Sequence, residues 1–331
     1  NVRNEGNMPT QKLLVKNLKV SFATPAKELV AVRGISYQLN QGETLALVGE
    51  SGCGKTVSAL SILRLIEEPP GKIMSGEILF NGKDLLKLTK RELQVHRGKD
   101  IAMVFQDPMT SMNPVLTIGE QIIETILRHT SLSRKEAREK SLKLLEQVEI
   151  ASPKEKLDQY PHQLSGGMRQ RAMIAMALSC SPRILIADEP TTALDVLIQA
   201  QILDLLKKIK NETQMSILLI THDLGVVAEI AKRVMVMYAG EIVESGPVLD
   251  LFRSPLHPYT IGLMKSIPTL KPTQGKLSKL NEISGVVPSL SQIPSGCPFH
   301  PRCPSVETRC KTEKPKLKKI ANEYSVSCWL H

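Results

Sequence analysis

The chain has 331 residues, 42% of them hydrophobic, which is enough for one large domain with a smaller one or for two domains of ordinary size. It has no apolar run of the ~18 to 20 residues that a membrane-spanning helix needs, and its first residues lack a secretory signal, so we expect a globular chain that stays in the cytosol. The net charge is +10, and residues 271–331 hold 10 Lys and Arg against 4 Asp and Glu, an excess of +6. Because the tail lacks the regular interleaving of aromatic residues and charges that base stacking uses, it indicates a solvated or partner-facing surface more than a nucleic-acid site.

The first two patterned stretches are predicted to be strands. Residues 13–22 and 30–39 alternate in the manner of strands, which predicts an antiparallel sheet near the start of the chain. Each stretch carries an aromatic residue. Phe22, or as the weaker candidate Tyr37, either packs within this sheet or stacks on the adenine of a nucleotide bound by the segment that follows.

That following segment, GESGCGKT at residues 49–56, fits the phosphate-loop pattern G-x-x-x-x-G-K-[ST]. An apolar run, 44–48, precedes it and a segment with helical spacing, 57–65, follows, which is the strand, loop and helix context that the pattern requires. Glycines let backbone N–H groups wrap around phosphates, while Lys55 is expected to reach the outer phosphates and Thr56 to bind Mg²⁺. The residues assigned to nucleotide binding are Gly49, Glu50, Ser51, Gly52, Cys53, Gly54, Lys55, Thr56 and Val57.

Further strands and a helical insert come next. Residues 76–82 predict a strand with a turn, and 100–106 predict a strand that ends on Gln106. There Gln106 either faces a bound metal ion or water, or is an ordinary surface residue. From 117 to 179 the apolar spacing is helical, which predicts a helical insert between two parts of the sheet.

The insert ends in LSGGMRQR, residues 164–171. Ser165 is suited to cap a helix that runs to about residue 180, and Gly166 and Gly167 keep the start of that helix free of side chains. An exposed helix N-terminus favours anions, so this segment predicts a second phosphate site; the alternative is an ordinary serine-capped helix.

An apolar strand at 183–189 ends in two adjacent acids. Because neighbouring strand residues face opposite sides, Asp188 is the candidate ligand of Mg²⁺ and Glu189 the candidate to orient or deprotonate the attacking water; otherwise the pair is a solvated turn. A later strand, 215–221, ends at His222. A lone histidine is usually structural, but this one lies at the edge where open α/β sheets bind ligands.

In order and spacing these motifs resemble the nucleotide-binding domain of ABC transporters over about residues 13–251, and LSGGMRQ is the most specific of them. The segments that carry the resemblance are Gly49–Thr56, Gln106, Leu164–Gln170, Ile184–Glu189, Asp195 and His222. The resemblance implies a head-to-tail dimer in which ATP lies between the phosphate loop of one domain and the Ser165 segment of the other. Asp195 would connect the two sites, and the partner would be a second related ATPase or another copy of this chain.

The same resemblance implies roles at the acidic edge of the sheet. Gln106 would contact the metal ion and the attacking water, Asp188 would hold Mg²⁺, and Glu189 would be the general base. His222 would contact the γ-phosphate. Residues 107–121 would receive a helix from a membrane-embedded partner. Phosphoryl transfer is mostly positioning and charge stabilisation, so a site completed only on dimerisation couples hydrolysis to a large motion.

A group of four cysteines distinguishes the tail: Cys297, Cys303, Cys310 and Cys328. In the cytosol such a group favours a metal site over disulfides, although the spacing matches neither zinc ribbons nor bacterial ferredoxins. The tail resembles the C-terminal extension of ATPases from oligopeptide and dipeptide importers, which implies a 4Fe-4S cluster; zinc and unmetallated thiols are the alternatives. His300 is a redundant additional ligand, and Trp329 either shields the site or anchors the tail. Cys53 and Cys180 are predicted to be small structural residues, and an exposed Cys53 would make ATP binding sensitive to alkylation.

The predicted fold is α/β: an ABC-type nucleotide-binding domain with a P-loop core sheet, an antiparallel β subdomain and a helical subdomain, followed by a small Cys-rich C-terminal domain. Residues 1–7 are predicted to be a tag or disordered. The predicted bounds are 8–255 for the ATPase domain, about 107–182 for its helical subdomain and 256–331 for the C-terminal extension.

The predicted function is that of the ATP-hydrolysing subunit that powers import of di- or oligopeptides, peripheral to the cytosolic face of the cell membrane. Its implied partners are two transmembrane permease subunits and an external peptide-binding protein. One alternative is a related importer for nickel, glutathione or another small solute, since other chains select the cargo. The other is a soluble ABC protein acting on nucleic acid or ribosomes, but such proteins usually carry two cassettes and this chain has one phosphate loop.

Overall fold

The structure is a computed structural model, and it describes residues 11–192, 194–266, 283–321 and 323–331. The predicted tag or disordered segment, 1–7, lies outside the described residues. The strands are β1 Gln11–Ala23, β2 Glu28–Asn40, β3 Thr44–Val48, β4 Gly71–Phe80, β5 Lys83–Asp84, β6 Ile101–Val104, β7 Ile184–Asp188, β8 Ser216–Thr221, β9 Arg233–Tyr238, β10 Glu241–Pro247, β11 Lys318–Ala321 and β12 Tyr324–Val326.

The α-helices alternate with these strands and fill the middle of the chain. They are α1 Lys55–Ile62, α2 Lys90–His96, α3 Pro108–Ser111, α4 Ile118–His129, α5 Arg134–Gln147, α6 Pro153–Leu157, α7 Gly166–Leu178, α8 Val196–Thr213, α9 Leu224–Ile230, α10 Val248–Arg253, α11 Pro258–Lys265 and α12 Thr308–Thr312. Among the described residues, no helix combines the length and the apolar character needed to cross a membrane.

The described chain divides into two compact units. The described residues of the first unit lie within 11–14, 38–44 and 78–220. In it β7 pairs in parallel with β6 on one side and β8 on the other. Every residue of these three strands is buried, as expected for parallel strands covered on both faces, and α7 packs on β6. The carboxyl ends of the three strands therefore lie at one edge of the sheet.

The helical insert of the first unit confirms the predicted change of periodicity. Helices α4, α5, α6 and α7 pack against one another. Thr117 and Ser133 each accept a hydrogen bond from the backbone N–H three residues on, and each receives the reciprocal contact from a glutamate, so both helices begin with a capping box. These local signals explain why α4 and α5 begin where they do.

The described residues of the second unit lie within 15–37, 45–77, 221–266, 283–321 and 323–331. Its strands follow the order β3-β9-β10-β12-β11, parallel between β3 and β9 and antiparallel thereafter. Strands β1 and β2 share a different sheet, as predicted, and β4 joins it beside β1. The start predicted for β4 was wrong, because Gly76 lies inside the strand: its φ is +121°, and an added Cβ would lie 2.8 Å from the Cα of Leu18.

An aromatic cluster forms the centre of the second unit. Tyr238 of β9, Tyr259 of α11 and Phe299 lie with their ring centroids 4.6 to 5.4 Å apart, and all three side chains are almost fully buried. Tyr259 and Phe299 come from the predicted C-terminal extension, whereas Tyr238 comes from the predicted ATPase domain. The two parts of the chain thus share one hydrophobic core.

Candidate functional site

The phosphate loop connects β3 to α1 in the second unit. Two of its glycines are required by close contacts with backbone. A Cβ on Gly49 would lie 2.2 Å from the carbonyl oxygen of Met237, and a Cβ on Gly54 would lie 2.5 Å from that of Ala31. Gly54 also has a φ of +101° and directly precedes α1. The loop therefore adopts a backbone conformation that only glycine permits at these two positions.

The Lys55 side chain folds over the loop. Its ammonium group donates hydrogen bonds to the carbonyl oxygens of Gly49 at 2.8 Å and Glu50 at 3.0 Å, and the residue is only 5% exposed. Ser51 and Thr56 are exposed beside it. Polyphosphate needs a cation, hydroxyl groups and backbone N–H groups as donors. The loop offers all three, in the Lys55 ammonium, the Ser51 and Thr56 hydroxyls and a glycine-rich backbone, so these residues fit ATP and its Mg²⁺.

Three other predicted residues near the loop differ in exposure. Phe22 is partly exposed, whereas Tyr37 is 7% exposed, which leaves Phe22 as the available ring for stacking. Cys53 is 1% exposed. The condition under which alkylation would act, an exposed Cys53, is therefore not met in this structure, and burial raises the pKa of its thiol, an effect that the Lys55 charge partly opposes.

The two acids at the end of β7 occupy different environments in the first unit. Asp188 closes the strand and is 2% exposed. Glu189 leaves the strand with φ of +46°, a left-handed conformation that is rare for non-glycine residues. Its Oε2 accepts hydrogen bonds from Gln106 Nε2 at 3.0 Å and from Thr192 Oγ1 at 2.9 Å. The structure thus brings Gln106 and Glu189 together, and it adds Thr192, which no motif had indicated.

The Ser165 segment and Asp195 share a cleft in the first unit. Both residues begin helices: Ser165 Oγ accepts from Met168 N at 3.4 Å, and Asp195 Oδ1 accepts from Ile198 N at 2.9 Å. They line a cleft of about 520 Å³ with Gly166 and Gly167. A Cβ on Gly167 would lie 2.9 Å from Ile198 Cγ2, so glycine allows the start of α7 to approach α8.

His222 directly follows β8 and is exposed. The next residue, Asp223, begins α9 by accepting hydrogen bonds from the backbone N–H groups of Gly225 at 2.8 Å and Val226 at 3.3 Å. This cap fixes the turn that carries the imidazole at the carboxyl end of the strand.

The four tail cysteines are free thiols that influence one another. Cys297 N donates to Cys310 O at 2.8 Å, and burial raises the pKa of Cys297 to about 11, with smaller contributions from the other three thiols. However, no group of three or more His, Cys, Asp or Glu within the described part of the chain is arranged to hold a metal ion. His300 Nδ1 lies 3.0 Å from Cys297 O, and the Trp329 ring lies 5.0 Å from the Arg309 guanidinium. The structure therefore does not support the predicted 4Fe-4S cluster or a separate Cys-rich domain.

Comparison with known proteins identifies the family. Residues 32–192 match the family described as ABC transporter, and residues 243–310 match the one described as oligopeptide/dipeptide transporter, C-terminal region. The oligopeptide transport ATP-binding protein AppD of Bacillus subtilis is 50% identical over 319 residues, which cover 96% of this chain and 96% of AppD. The chain belongs to the ABC transporter family.

Other relatives support the same assignment. The dipeptide transport ATP-binding protein DppD of Bacillus subtilis is 52% identical over 318 residues, covering 96% of this chain and 94% of DppD. Among solved structures, the dimeric post-hydrolysis state of the ATP-binding cassette MJ0796 bound to ADP and Pi matches with a TM-score of 0.65 and 28% identity, covering 71% of this chain and 98% of that one. The fold is thus that of an ABC ATPase nucleotide-binding domain with mixed α/β sheets.

Proposed function

We propose that this ABC transporter ATPase powers the import of di- or oligopeptides. The observation that carries the proposal is the match of residues 243–310 to the C-terminal region of oligopeptide and dipeptide transporters, because that region lies outside the ATPase motifs. AppD and DppD, which match nearly the whole chain, are named as oligopeptide and dipeptide transport proteins and so support the same cargo class. The matches reported above do not favour nickel, glutathione, nucleic acid or ribosomes as the target.

The phosphate loop binds the nucleotide in this proposal. Lys55 exchanges its bonds to loop carbonyl oxygens for bonds to the outer phosphates, and the loop N–H groups surround them. From the sequence motifs, Thr56 and Asp188 would hold Mg²⁺, with Gln106 as a further ligand, and Phe22 would stack on adenine. When bound, Mg²⁺ supplies positive charge that offsets the charge of the phosphates.

Glu189 accepts a proton from the attacking water. Its carboxylate is held by two donors, Gln106 and Thr192, which orient it without neutralising it. A carboxylate fixed in this way is suited to act as general base. His222, at the end of β8, contacts the γ-phosphate. The electron pair of the attacking oxygen forms the new P–O bond while the bond to the leaving ADP oxygen breaks.

The second half of each ATP site comes from another ATPase domain. Ser165, Gly166 and Gly167 present a helix N-terminus to the γ-phosphate across the interface, and Asp195 lies beside them. Next to Asp195, Val196 is 82% and Leu197 is 76% exposed. Large apolar side chains exposed together suit a surface that another domain covers. The partner is a second related ATPase or another copy of this chain.

Two permease subunits and an external peptide-binding protein complete the proposed importer, with this chain peripheral to the cytosolic face of the membrane. A cleft of about 590 Å³ in the first unit supports the permease contact, because its lining includes Ser111, Asn113 and Leu116, within the segment expected to receive a permease helix. The domain bounds proposed here are 8–255, with a helical subdomain at about 107–182, and 256–331.

We also propose that the tail holds a 4Fe-4S cluster, with Cys297, Cys303, Cys310 and Cys328 as ligands. The chemistry of four free thiols in one short region supports it, and a backbone hydrogen bond from Cys297 to Cys310 brings two of those residues together. The present arrangement of the four thiols does not support the cluster, so the cluster has no part in the ATPase mechanism described above.

The test is a pair of variants in the complete importer, reconstituted in liposomes. Glu189→Gln is expected to retain ATP binding while hydrolysis and uptake of a labelled dipeptide fall about 100-fold or more, since the base is lost but the charge-binding loop is intact. Lys55→Ala is expected to weaken ATP binding itself by about tenfold or more. Glu139→Gln, an exposed carboxylate of α5, is the control.

Normal hydrolysis by Glu189→Gln would remove it as the base. Uptake of nickel or glutathione in place of the dipeptide by the wild-type importer would overturn the cargo assignment while leaving the ATPase assignment intact.

A further inference from the structure

A two-pronged ion pair joins the phosphate loop to the C-terminal region within the second unit. The guanidinium of Arg302 donates to both carboxylate oxygens of Glu50, from Nη1 to Oε2 at 2.7 Å and from Nη2 to Oε1 at 3.0 Å. The Arg302 side chain is 4% exposed and the Glu50 side chain 28%. Paired contacts of this kind fix geometry as well as charge, so Glu50 has one defined orientation.

The Arg302 guanidinium is itself held in place by the tail. Its Nε donates to the carbonyl oxygen of Ser284 at 3.1 Å and its Nη2 donates to that of Ile283 at 3.2 Å. It also lies over the ring of Tyr238, 5.9 Å from the centroid. Arg302 therefore meets Glu50 as a rigid, preoriented cation rather than as a mobile side chain.

The backbone of Glu50 is held from the same region. Its N–H donates to the hydroxyl of Tyr259 at 2.9 Å, and Tyr259 is fully buried in the aromatic cluster with Phe299. The side chain and the amide of one loop residue thus both bond to residues after 256. Since the Lys55 ammonium donates to the Glu50 carbonyl oxygen, the position of residue 50 also determines where that ammonium lies before a nucleotide binds.

We propose that Arg302 is a positioning residue for the phosphate loop, which neutralises Glu50 and holds it in the orientation that allows the loop to accept a nucleotide polyphosphate. The inference rests on the proposed function of the loop as the ATP site. An unpaired carboxylate in a loop that binds a polyanion repels the ligand and is free to occupy the space of the phosphates. Arg302 prevents both effects without touching the nucleotide.

The test measures binding of the fluorescent analogue trinitrophenyl-ATP to the chain, and the KM and kcat for ATP in the complete importer. Arg302→Gln is expected to raise Kd and KM about three- to tenfold, because the negative charge of Glu50 is then no longer neutralised and repels the phosphates. The kcat should stay within about twofold of the wild-type value. The double variant Arg302→Gln with Glu50→Gln is expected to bind more tightly than Arg302→Gln alone, since the uncompensated charge is gone. Arg302→Lys should lie between wild type and Arg302→Gln.

The matched control is Arg309→Gln. Arg309 is another arginine of the tail, and it pairs with Glu307 at 2.8 Å. The Kd of Arg309→Gln for the analogue should equal that of the wild type. If this Kd rises as much as that of Arg302→Gln, the effect belongs to the tail in general and the proposal is overturned. Should Arg302→Gln fail to fold, Arg302→Lys against Arg309→Lys gives the same comparison.

Two further outcomes separate this inference from the proposed function. If Lys55→Ala weakens binding but Arg302→Gln does not, or if the double variant binds no better than Arg302→Gln, the positioning role is overturned and the ATP site stands. If Lys55→Ala binds the analogue as the wild type does, the ATP site itself is wrong. A lower melting temperature without nucleotide, with Kd unchanged, would reduce Arg302 to a stabilising contact and overturn the proposal.

Discussion

His257 is a buried neutral base whose titration affects the stability of the fold. It is 1% exposed, and its Nδ1 accepts a hydrogen bond from Tyr259 N at 3.1 Å. Burial, with a smaller contribution from the charge of His331, lowers the pKa of His257 from 6.5 to about 3. A proton therefore binds the unfolded chain first, so the contribution of His257 to stability is complete above pH 6.5 and is lost as the pH falls towards 3.

We expect the free energy of unfolding to fall by about 1 kcal/mol between pH 7.5 and 5.5 through this one group. His257→Asn keeps an acceptor that can begin α11 but cannot titrate, so its stability should change that much less over the same interval. Urea unfolding at the two pH values measures the difference, with the exposed His162→Asn as control. Equal pH dependence in wild type and His257→Asn would contradict the assignment.

At the scale of elements, Glu244 ties three parts of the second unit together. This residue of β10 is fully buried. Its carboxylate accepts hydrogen bonds from Leu256 N at 2.6 Å, His257 N at 3.1 Å and the Tyr324 hydroxyl at 2.7 Å. It therefore links β10 to the segment that begins α11 and to β12, which also pairs with β10 through its backbone.

Glu244→Gln tests this link because it preserves shape and replaces one acceptor by a donor. The NH₂ group of the new glutamine faces a hydrogen-bond donor, so one of the two donors is left without an acceptor. We therefore expect a loss of about 1 to 3 kcal/mol in the free energy of unfolding. Glu323→Gln, an exposed carboxylate beside β12, should change stability by less than about 0.5 kcal/mol. Chemical denaturation measures both, and an equal effect of the two variants would show that the buried network is dispensable.

The elements that could be predicted from sequence are those whose causes are local. The phosphate loop, the Ser165 helix and β7 followed from glycine spacing, a capping serine and an apolar run, and the structure contains all three. Strand β12 and its pairing with β10 were not predicted, since partners about 80 residues apart leave no periodic signal. Arg302 was missed for the same reason: its contact with Glu50 spans 252 residues.

At the largest scale, the phosphate loop and the tail are not independent parts of the second unit. The aromatic cluster, the Glu244 network and the Arg302 contact all join residues before 256 to residues after it. A change in the tail therefore has a physical route to the phosphate loop. The metal content of the tail is thus relevant to more than the tail itself.

The iron–sulfur proposal is tested by iron, zinc and acid-labile sulfide content, with an absorption spectrum, on protein purified without oxygen. We expect iron and sulfide in equal amounts, because a 4Fe-4S cluster contains four of each. Cys303→Ser should lose both, since an alcohol is a poor substitute for a thiolate ligand. Cys180→Ser, which replaces a half-buried thiol outside the tail, should retain them.

Zinc in the wild-type protein would contradict the cluster by assigning another metal to it. No metal would also contradict the cluster, and would agree with the present arrangement of the thiols, in which no described group is set to hold a metal ion. Iron retained in Cys303→Ser would place the metal elsewhere. If iron is present, the four thiols must move together when the cluster forms, because ligand sulfurs surround one compact group. Arg302 immediately precedes Cys303, and Arg302 is hydrogen-bonded to Glu50 of the phosphate loop. A movement of Cys303 on loss of the iron would therefore reach the loop, so removing the iron should also change the Kd for trinitrophenyl-ATP.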